Sequence, residues 1–413
     1  RLDPPQFSRC RLIVNPRTGR LYVLEEQTGP GKSFYSVLRI DPDSGAVEEV
    51  KLPFDCEDMI FDIDGLAYLK TDHEVLRFDP RTWREIPWDY GERRRGVAFS
   101  GRVSHHSPGA LALPGHRPVW YHSSGMWVNA KRQLAVVCNV PPARKKNKEK
   151  DRYGRTGEVT AYTPAEYPGR TGTRVIHVWD KHGKIVHEDA LPGLTNADGI
   201  GIDSAGDLYV LVGAPSVLEG KGPFDGKTET LVKVKPGRAR FLSSLRAPIP
   251  LSESAKPKRP PDLTKFGMGK TWIEGAEWMY GGLGYGGQGG SCVCWHARFQ
   301  LDYFGRSFAP ETRRFQVAVL DSEGNLILRI GQYGNVDDGN PLDPEGGPAE
   351  PRSIGGDDVA SSHAAYVGVH TDRNLYIHDA GSGRILNVEL EYHTEERIPL
   401  KDVADAGSDP AKP

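Results

Sequence analysis

Residues 297–335 read ARFQLDYFGRSFAPETRRFQVAVLDSEGNLILRIGQYGN and contain one complete four-stranded unit. Short apolar runs alternate with turns of the Leu-Asp-x-x-Gly kind, as expected of antiparallel strands. Weaker copies of this unit run through the chain, and six are legible. Because one small sheet cannot bury both faces alone, repeated copies must stack on each other. For short twisted sheets the closed arrangement is a β-propeller.

Each copy begins with an apolar inner strand that ends at a turn-forming side chain. Unit one reads LIVNPRTGRLYV over 12–23, and unit four reads GIGIDSAGDLYVL over 199–211. The repeats predict an all-β fold, a six-bladed β-propeller of four-stranded antiparallel blades, as a single domain over residues 1–400. Whether the long loops contain a seventh unit is left open. Three insertions are predicted at 89–116, 140–173 and 246–291, followed by a polar tail at 401–413.

Charge and hydropathy exclude two classes of partner. The 413 residues contain 53 Lys and Arg against 55 Asp and Glu, a net charge of −2, so no overall field favours nucleic acid or an anionic membrane. The basic run at 144–150 is diluted by acidic residues and is interpreted as a solvated loop. No apolar run approaches the roughly 18–20 residues that a membrane-spanning helix needs.

The start of the chain and its cysteines favour an exported protein. The chain begins with Arg1 rather than Met, so we expect a preceding segment such as a signal peptide. Five cysteines are compatible with an extracellular or periplasmic location, where disulfides persist. We therefore predict a secreted protein.

The fifth unit resembles a known repeat. Over 314–334 it carries Arg-Phe-x-Val, then Leu-Asp-x-x-Gly-Asn, then Ile-Gly-x-Tyr-Gly, a pattern similar to the NHL repeat. The similarity is strong over 297–335, partial in units four and six, and limited to the turn skeleton in units one to three. It implies a six-bladed β-propeller. It does not imply one activity, since such propellers include lyases, other enzymes and binding modules.

Polar and sulfur-containing side chains recur where the inner strands begin. The turn residues are Asn15, Asp62, Asn129, Asp203, Asp302 and His370. In a propeller, the strand starts that precede them surround one mouth of the central channel. Those starts carry Cys10, Cys56, Glu57, His122, Asn196, Asp198, Cys294, His296, Arg298 and His363.

These side chains predict a metal or ligand site. Imidazole and thiolate together suit zinc, copper or iron, so His122, His296, His363 and Cys294 are the predicted metal ligands. The polar residues around them are predicted to bind ligand, namely Glu57, Asn196, Asp198 and Arg298.

Each feature also has a simpler interpretation. A histidine at a strand end is usually hydrogen-bonded or solvated. Cys10 and Cys56 lie at similar depth in adjacent blades and, in place of a role in the metal site, are candidates for a disulfide in an oxidising compartment. The sequence Cys292-Val-Cys294-Trp-His296 lacks the spacing of a haem-attachment motif. Paired aspartates at 337–338 and 357–358 could bind calcium, although turn capping is their commoner use.

Two functional hypotheses follow. The first is a secreted ligand-binding or interaction module whose channel mouth takes a small molecule, peptide or protein, alone or as part of a larger exported assembly. The second is a metal-dependent lyase or hydrolase, because three histidines from different blades resemble the zinc site of NHL-type peptidyl-hydroxyglycine lyases. That resemblance implies a role for Arg298 or a nearby tyrosine. The catalytic tyrosine and arginine of that family have no residue-by-residue match here, and thiols are not part of its pattern.

Overall fold

The structure of the protein is a computed structural model. The described residues are 10–25, 34–71, 74–88, 109–113, 125–139, 147–150, 156–159, 174–194, 197–217, 228–243, 251, 253–264, 270–284, 298–334, 359–370 and 374–390. Among them, no helix is long and apolar enough to cross a bilayer.

The first three antiparallel sheets follow one another along the chain and are numbered blades 1 to 3. Blade 1 consists of β1 (Cys10–Val14), β2 (Leu21–Glu25), β3 (Phe34–Ile40) and β4 (Val47–Cys56). Blade 2 consists of β5 (Asp58–Phe61), β6 (Ala67–Lys70), β7 (Glu74–Asp79) and β8 (Arg84–Glu85), with β9 (Leu111–Ala112) also paired to β7. Blade 3 consists of β10 (Met126–Val128), β11 (Leu134–Asn139), β14 (Arg174–Trp179) and β15 (Ile185–His187), interrupted by the hairpin β12 (Asn147–Lys150) and β13 (Thr156–Val159).

Three further sheets continue the series as blades 4 to 6. Blade 4 consists of β16 (Ala197–Ile202), β17 (Leu208–Val212), β18 (Glu229–Val234) and β22 (Ala276–Leu283), interrupted by the small sheet of β19 (Arg240–Ser243), β20 (Leu263–Thr264) and β21 (Lys270–Glu274). Blade 5 consists of β23 (Gln300–Leu301), β24 (Ser307–Glu311), β25 (Gln316–Leu320) and β26 (Leu326–Ile330). Blade 6 has β29 (Ala364–Val369), β30 (Asn374–Asp379) and β31 (Arg384–Glu389), and the parallel pair β27 (Gln332–Tyr333) and β28 (Ala360–Ser361) precedes it.

The inner strands form a closed circuit. Each of β1, β5, β10, β16 and β23 contacts the inner strand of the next blade, and β29 contacts β1 again. This arrangement confirms the predicted β-propeller, with six blades counted over the described residues. Part of the predicted insertion at 246–291 is blade structure, since β22 supplies the outer strand of blade 4.

The hydrophobic core is divided between the blades. Each of the six apolar clusters combines residues of two consecutive blades. For example, Ile13 of blade 1 packs with Phe61 of blade 2, and Leu12 packs with Tyr366 of blade 6. A cluster between the last and the first blade is what a closed ring requires, because no sheet face is left uncovered at the junction.

In blades 1 to 5, the turn between the first two strands is built around one side chain, namely Asn15, Asp62, Asn129, Asp203 or Asp302. The Asp62 carboxylate accepts hydrogen bonds from the backbone N–H groups of Asp64 (3.0 Å) and Leu66 (2.9 Å). Asp302 accepts in the same way from Phe304 (2.9 Å) and Arg306 (2.8 Å). Gly65 has a φ of +82°, the left-handed region that favours glycine. The predicted turn chemistry is therefore confirmed at these positions.

Candidate functional site at the channel entrance

The two ends of the propeller are distinguished by which end of each inner strand lies there. We call the end where the inner strands begin the entry face, and the end that carries the turns at Asn15, Asp62, Asn129, Asp203 and Asp302 the turn face. Arg298 forms a parallel bridge with Tyr366, so the inner strands of blades 5 and 6 run in the same direction. Residues at equal distances before the turns therefore lie at similar depths along the channel.

The structure places only part of the predicted site. Glu57 precedes β5, Arg298 is buried just before β23, and His363 lies half-buried before β29. Asp198 lies in β16 and Cys10 begins β1, but their side chains are outside the described part. Four other predicted residues fall outside the described residues, namely His122, Asn196, Cys294 and His296.

The predicted metal centre therefore stays a prediction. Within the described ranges, no group of three or more His, Cys, Asp or Glu side chains is arranged to hold a metal ion. Three of the four proposed ligands lie outside those ranges, so this result does not test the set. The predicted disulfide also stays a prediction: the Cys56 thiol is buried and donates to the Phe54 carbonyl (3.4 Å), and the side chain of Cys10 is not described.

A buried carboxylate fixes the backbone at His363. Asp379 Oδ1 accepts hydrogen bonds from the N–H groups of Ser362 (3.1 Å) and His363 (2.8 Å), and Arg384 Nε donates to its Oδ2 (3.3 Å). Burial lowers the pKa of the His363 imidazole, and the Asp379 charge opposes this only in part. The imidazole is therefore neutral near pH 7, the form that binds a metal or accepts a proton.

One arginine connects three blades at the entry face. Arg11 of blade 1 forms an ion pair with Asp58 of blade 2, and its Nη2 donates to the Met126 carbonyl of blade 3 (3.4 Å). The side chains of Arg11 and Asp58 are only 5% and 3% exposed. The guanidinium therefore passes the inner strand of blade 2 and crosses part of the channel.

A second side chain crosses the channel from the other side. Gln300 of blade 5 donates from Nε2 to the Leu12 carbonyl of blade 1 (3.5 Å), passing the inner strand of blade 6. Two polar side chains, Arg11 and Gln300, therefore reach across the channel from different blades. These groups exchange hydrogen bonds between blades that are distant in sequence.

Sequence reasoning missed Arg11 and Asp58, although a signal was present. The residue four positions before the turn residue is Arg11 in blade 1, Asp58 in blade 2, Arg298 in blade 5 and Tyr366 in blade 6. Blades 3 and 4 have glycine at this level, Gly125 and Gly199. When the six blades are aligned on their turn residues, these six residues fall at one level of the channel. We call them the entry ring.

More charge is buried just outside the entry ring. Lys70 is fully buried and pairs with Glu57 (Nζ to Oε2 3.1 Å), so Glu57 takes part in a largely buried ion pair. Burial raises the pKa of the neighbouring Cys138 thiol to about 12, with the Lys70 charge acting in the opposite direction. This thiol is therefore protonated and unreactive at neutral pH.

Tyr303 is a partly buried tyrosine in the first turn of blade 5. Burial raises the pKa of the Tyr303 phenol, and the negative charge of Asp62 raises it further. Tyr303 lies in the turn of blade 5 and Asp62 in that of blade 2, which are three blades apart in the ring. The Tyr303 phenol is therefore protonated at neutral pH.

Comparisons with known proteins do not assign the chain to a protein family. No family model matches the chain, and no curated protein matches it. The chain is similar to the solved structure of regucalcin, a calcium-binding protein from Agrobacterium tumefaciens, with 12% identity, a TM-score of 0.39 and coverage of 91% of this chain and 82% of that one. It is also similar to the PQQ-bound aldose sugar dehydrogenase of Streptomyces coelicolor, with 11% identity, a TM-score of 0.42 and coverage of 92% and 94%.

A third similar solved structure is itself a β-propeller domain. It is the β-propeller domain of Cps50 (Swd1) from Myceliophteria thermophila, with 11% identity, a TM-score of 0.38 and coverage of 92% of this chain and 95% of that one. Scores this low carry no functional argument. The propeller architecture rests on the strand pairing and inter-blade packing of this chain, and the NHL repeat stays a resemblance.

Proposed function

We propose that this protein is a ligand-binding β-propeller whose binding site lies on the entry face, around the entry ring. One observation carries the proposal: Arg11, Asp58 and Arg298 bring buried charge from three blades to one channel. Burying an ion pair often adds little net stability, because desolvation offsets the attraction between the charges. A fold that needs only apolar packing near its axis has no use for such groups, whereas a binding site does.

The ligand proposed for this site is polar. Arg11 and Gln300 already donate to backbone carbonyls across the channel, so the local chemistry is that of directed hydrogen bonds. A transition metal held by His122, His296, His363 and Cys294 belongs to the same proposal, and the neutral imidazole of His363 is compatible with it. Export to an extracellular or periplasmic compartment is proposed on the sequence evidence alone.

A metal-dependent lyase or hydrolase is the second candidate, favoured by one contact. The Arg298 N–H donates to the Ala365 carbonyl (3.0 Å), and Arg298 pairs with Tyr366 across the two inner strands. These backbone contacts place an arginine next to a buried tyrosine in the neighbouring blade, and these are the residue types to which the lyase resemblance gives a role, although neither has a residue-by-residue match in that family. Metal analysis of protein purified without a polyhistidine tag, followed by cleavage assays on a peptidyl-hydroxyglycine, tests this candidate; metal-free protein without cleavage would remove it.

Thermal-shift screening tests the binding proposal itself. The protein is melted with ZnCl₂, CuCl₂ and a panel of small sugars, carboxylates and dipeptides. We expect stabilising compounds to lose their effect in Tyr366→Phe and Arg298→Met and to keep it in Arg132→Met. Arg132 is the matched control because its ion pair with Asp64 lies exposed on the turn face. Equal stabilisation of all variants would contradict a site at the entry ring.

A further inference from the structure

The outer strand of blade 5 exposes an unusual run of apolar side chains. In β26, Leu326, Ile327 and Leu328 are 38%, 52% and 40% exposed. Successive residues of a strand point to opposite faces, so Leu326 and Leu328 are exposed on one face and Ile327 on the other, which also carries Arg329. In the described part of the chain, β26 pairs with β25 on one side and with no strand on the other. Among the described strands, its outer edge is therefore open to backbone pairing.

The outer strand of blade 1 provides the comparison. There β4 places charged residues at its exposed positions, among them Glu48, Glu49 and Lys51. Charged edges are a common protection against strand addition. The outer strand of blade 5 lacks this protection at its first three positions, and the charged residue Arg329 comes only at the fourth. An exposed apolar patch of this kind usually marks an interaction surface.

We propose that β26 pairs antiparallel with β26 of a second copy of this chain, about a two-fold axis. The charges at its two ends indicate this partner. Glu323 is exposed just before the strand begins. Arg314 is exposed beside its end, because it precedes β25, in which Val317 pairs with Ile330. In an antiparallel pair of copies, the acidic start of each strand lies near the basic end of the other, and each contact occurs twice.

Sedimentation velocity over a concentration series tests the dimer. We expect the wild-type protein to dimerise and Ile327→Glu to weaken dimerisation by about 30-fold or more, the factor that corresponds to 2 kcal/mol at an interface centre. Val186→Glu is the matched control, since Val186 is 39% exposed on the outer strand of blade 3. It should leave the dimer unchanged. If Ile327→Glu fails to fold, Ile327→Thr replaces it, because threonine keeps the strand propensity.

A charge reversal distinguishes a second copy from any other partner. Glu323→Arg and Arg314→Glu should each weaken the dimer by about threefold to tenfold, since each removes two exposed ion pairs. The double variant restores both pairs between copies and should recover most of the affinity. A monomeric wild-type protein would overturn the proposal, as would a dimer that Ile327→Glu and the single charge reversals leave unchanged.

Discussion

The entry face and the turn face of this propeller both bury charged groups, but they satisfy them over very different distances. On the turn face, Asp62 and Asp302 are satisfied by N–H groups two to four residues further along the chain. On the entry face, Arg11 and Asp58 are 47 residues apart, and Gln300 and Leu12 are 288 apart. The turn carboxylates are therefore satisfied within their own turns, although Asn15 and Asn129 also donate to backbone carbonyls of the next blade. The entry-face pairs, in contrast, exist only when the ring is closed.

This difference predicts how each face responds to mutation. A substitution in a turn should lower the free energy of unfolding without changing contacts in other blades. In a pair that joins two blades, replacing one residue should lower the free energy of unfolding strongly, whereas replacing both residues should change it little. The predictions below test that contrast, beginning with the largest expected effect.

Breaking the Arg11–Asp58 pair should cost most. Asp58→Ala leaves a buried guanidinium without its carboxylate, and we expect a loss of about 3–5 kcal/mol in the free energy of unfolding, measured by urea denaturation. The double variant Arg11→Met/Asp58→Leu removes both charges and should restore most of that loss. A double variant as unstable as Asp58→Ala would show that the two residues do not act as a pair.

Removing one turn carboxylate should have an intermediate effect. Asp302→Ala leaves the N–H groups of Phe304 and Arg306 without their acceptor, so we expect a loss of about 1–3 kcal/mol by the same measurement. Asp180→Ala, in an outer turn of blade 3, provides the matched local change. The two losses should add, because distant independent sites usually do. Strong coupling between them would contradict the local character of the turns.

A glycine at a turn should show a smaller effect. Gly65 has a φ of +82°, and a Cβ there would lie 2.8 Å from Asn15 Oδ1. Gly65→Ala should lower the free energy of unfolding by about 1–2 kcal/mol. Gly19→Ala is the control, since its φ is +69° but open space surrounds the position. Equal losses at the two glycines would show that contact between adjacent turns is unimportant.

Acidification should have the smallest effect. Because burial lowers the pKa of His363, the unfolded chain binds this proton more readily than the folded protein. The contribution of His363 to stability is therefore complete above the ordinary imidazole pKa of about 6.5 and is lost as pH falls through the lowered value. In chelator-containing buffer, His363→Asn should reduce the stability difference between neutral and mildly acidic pH. An unchanged difference would mean that His363 does not titrate in this way.

The same contrast explains what could be predicted from sequence. The strands, the repeat and the turn at Asp302 depend on residues close together in the chain, so their pattern was legible. Arg11 and Asp58 looked unremarkable because their partners are fixed by ring closure and not by spacing. Their common position, four residues before the turn, becomes informative only after the blades are aligned. Glu57, Arg298 and His363 were singled out because they lie near the same strand starts, and their ligand-binding and metal-binding roles stay predictions.

Hydrogen–deuterium exchange tests the central claim, that ligand binds at the entry face, most directly. The protein is compared with and without the compound that gives the largest thermal shift in the screen. The account predicts slower exchange at the starts of β1, β5, β23 and β29, and unchanged exchange at the turns of Asp62 and Asp302. Protection at those turns, with none at the strand starts, would contradict it.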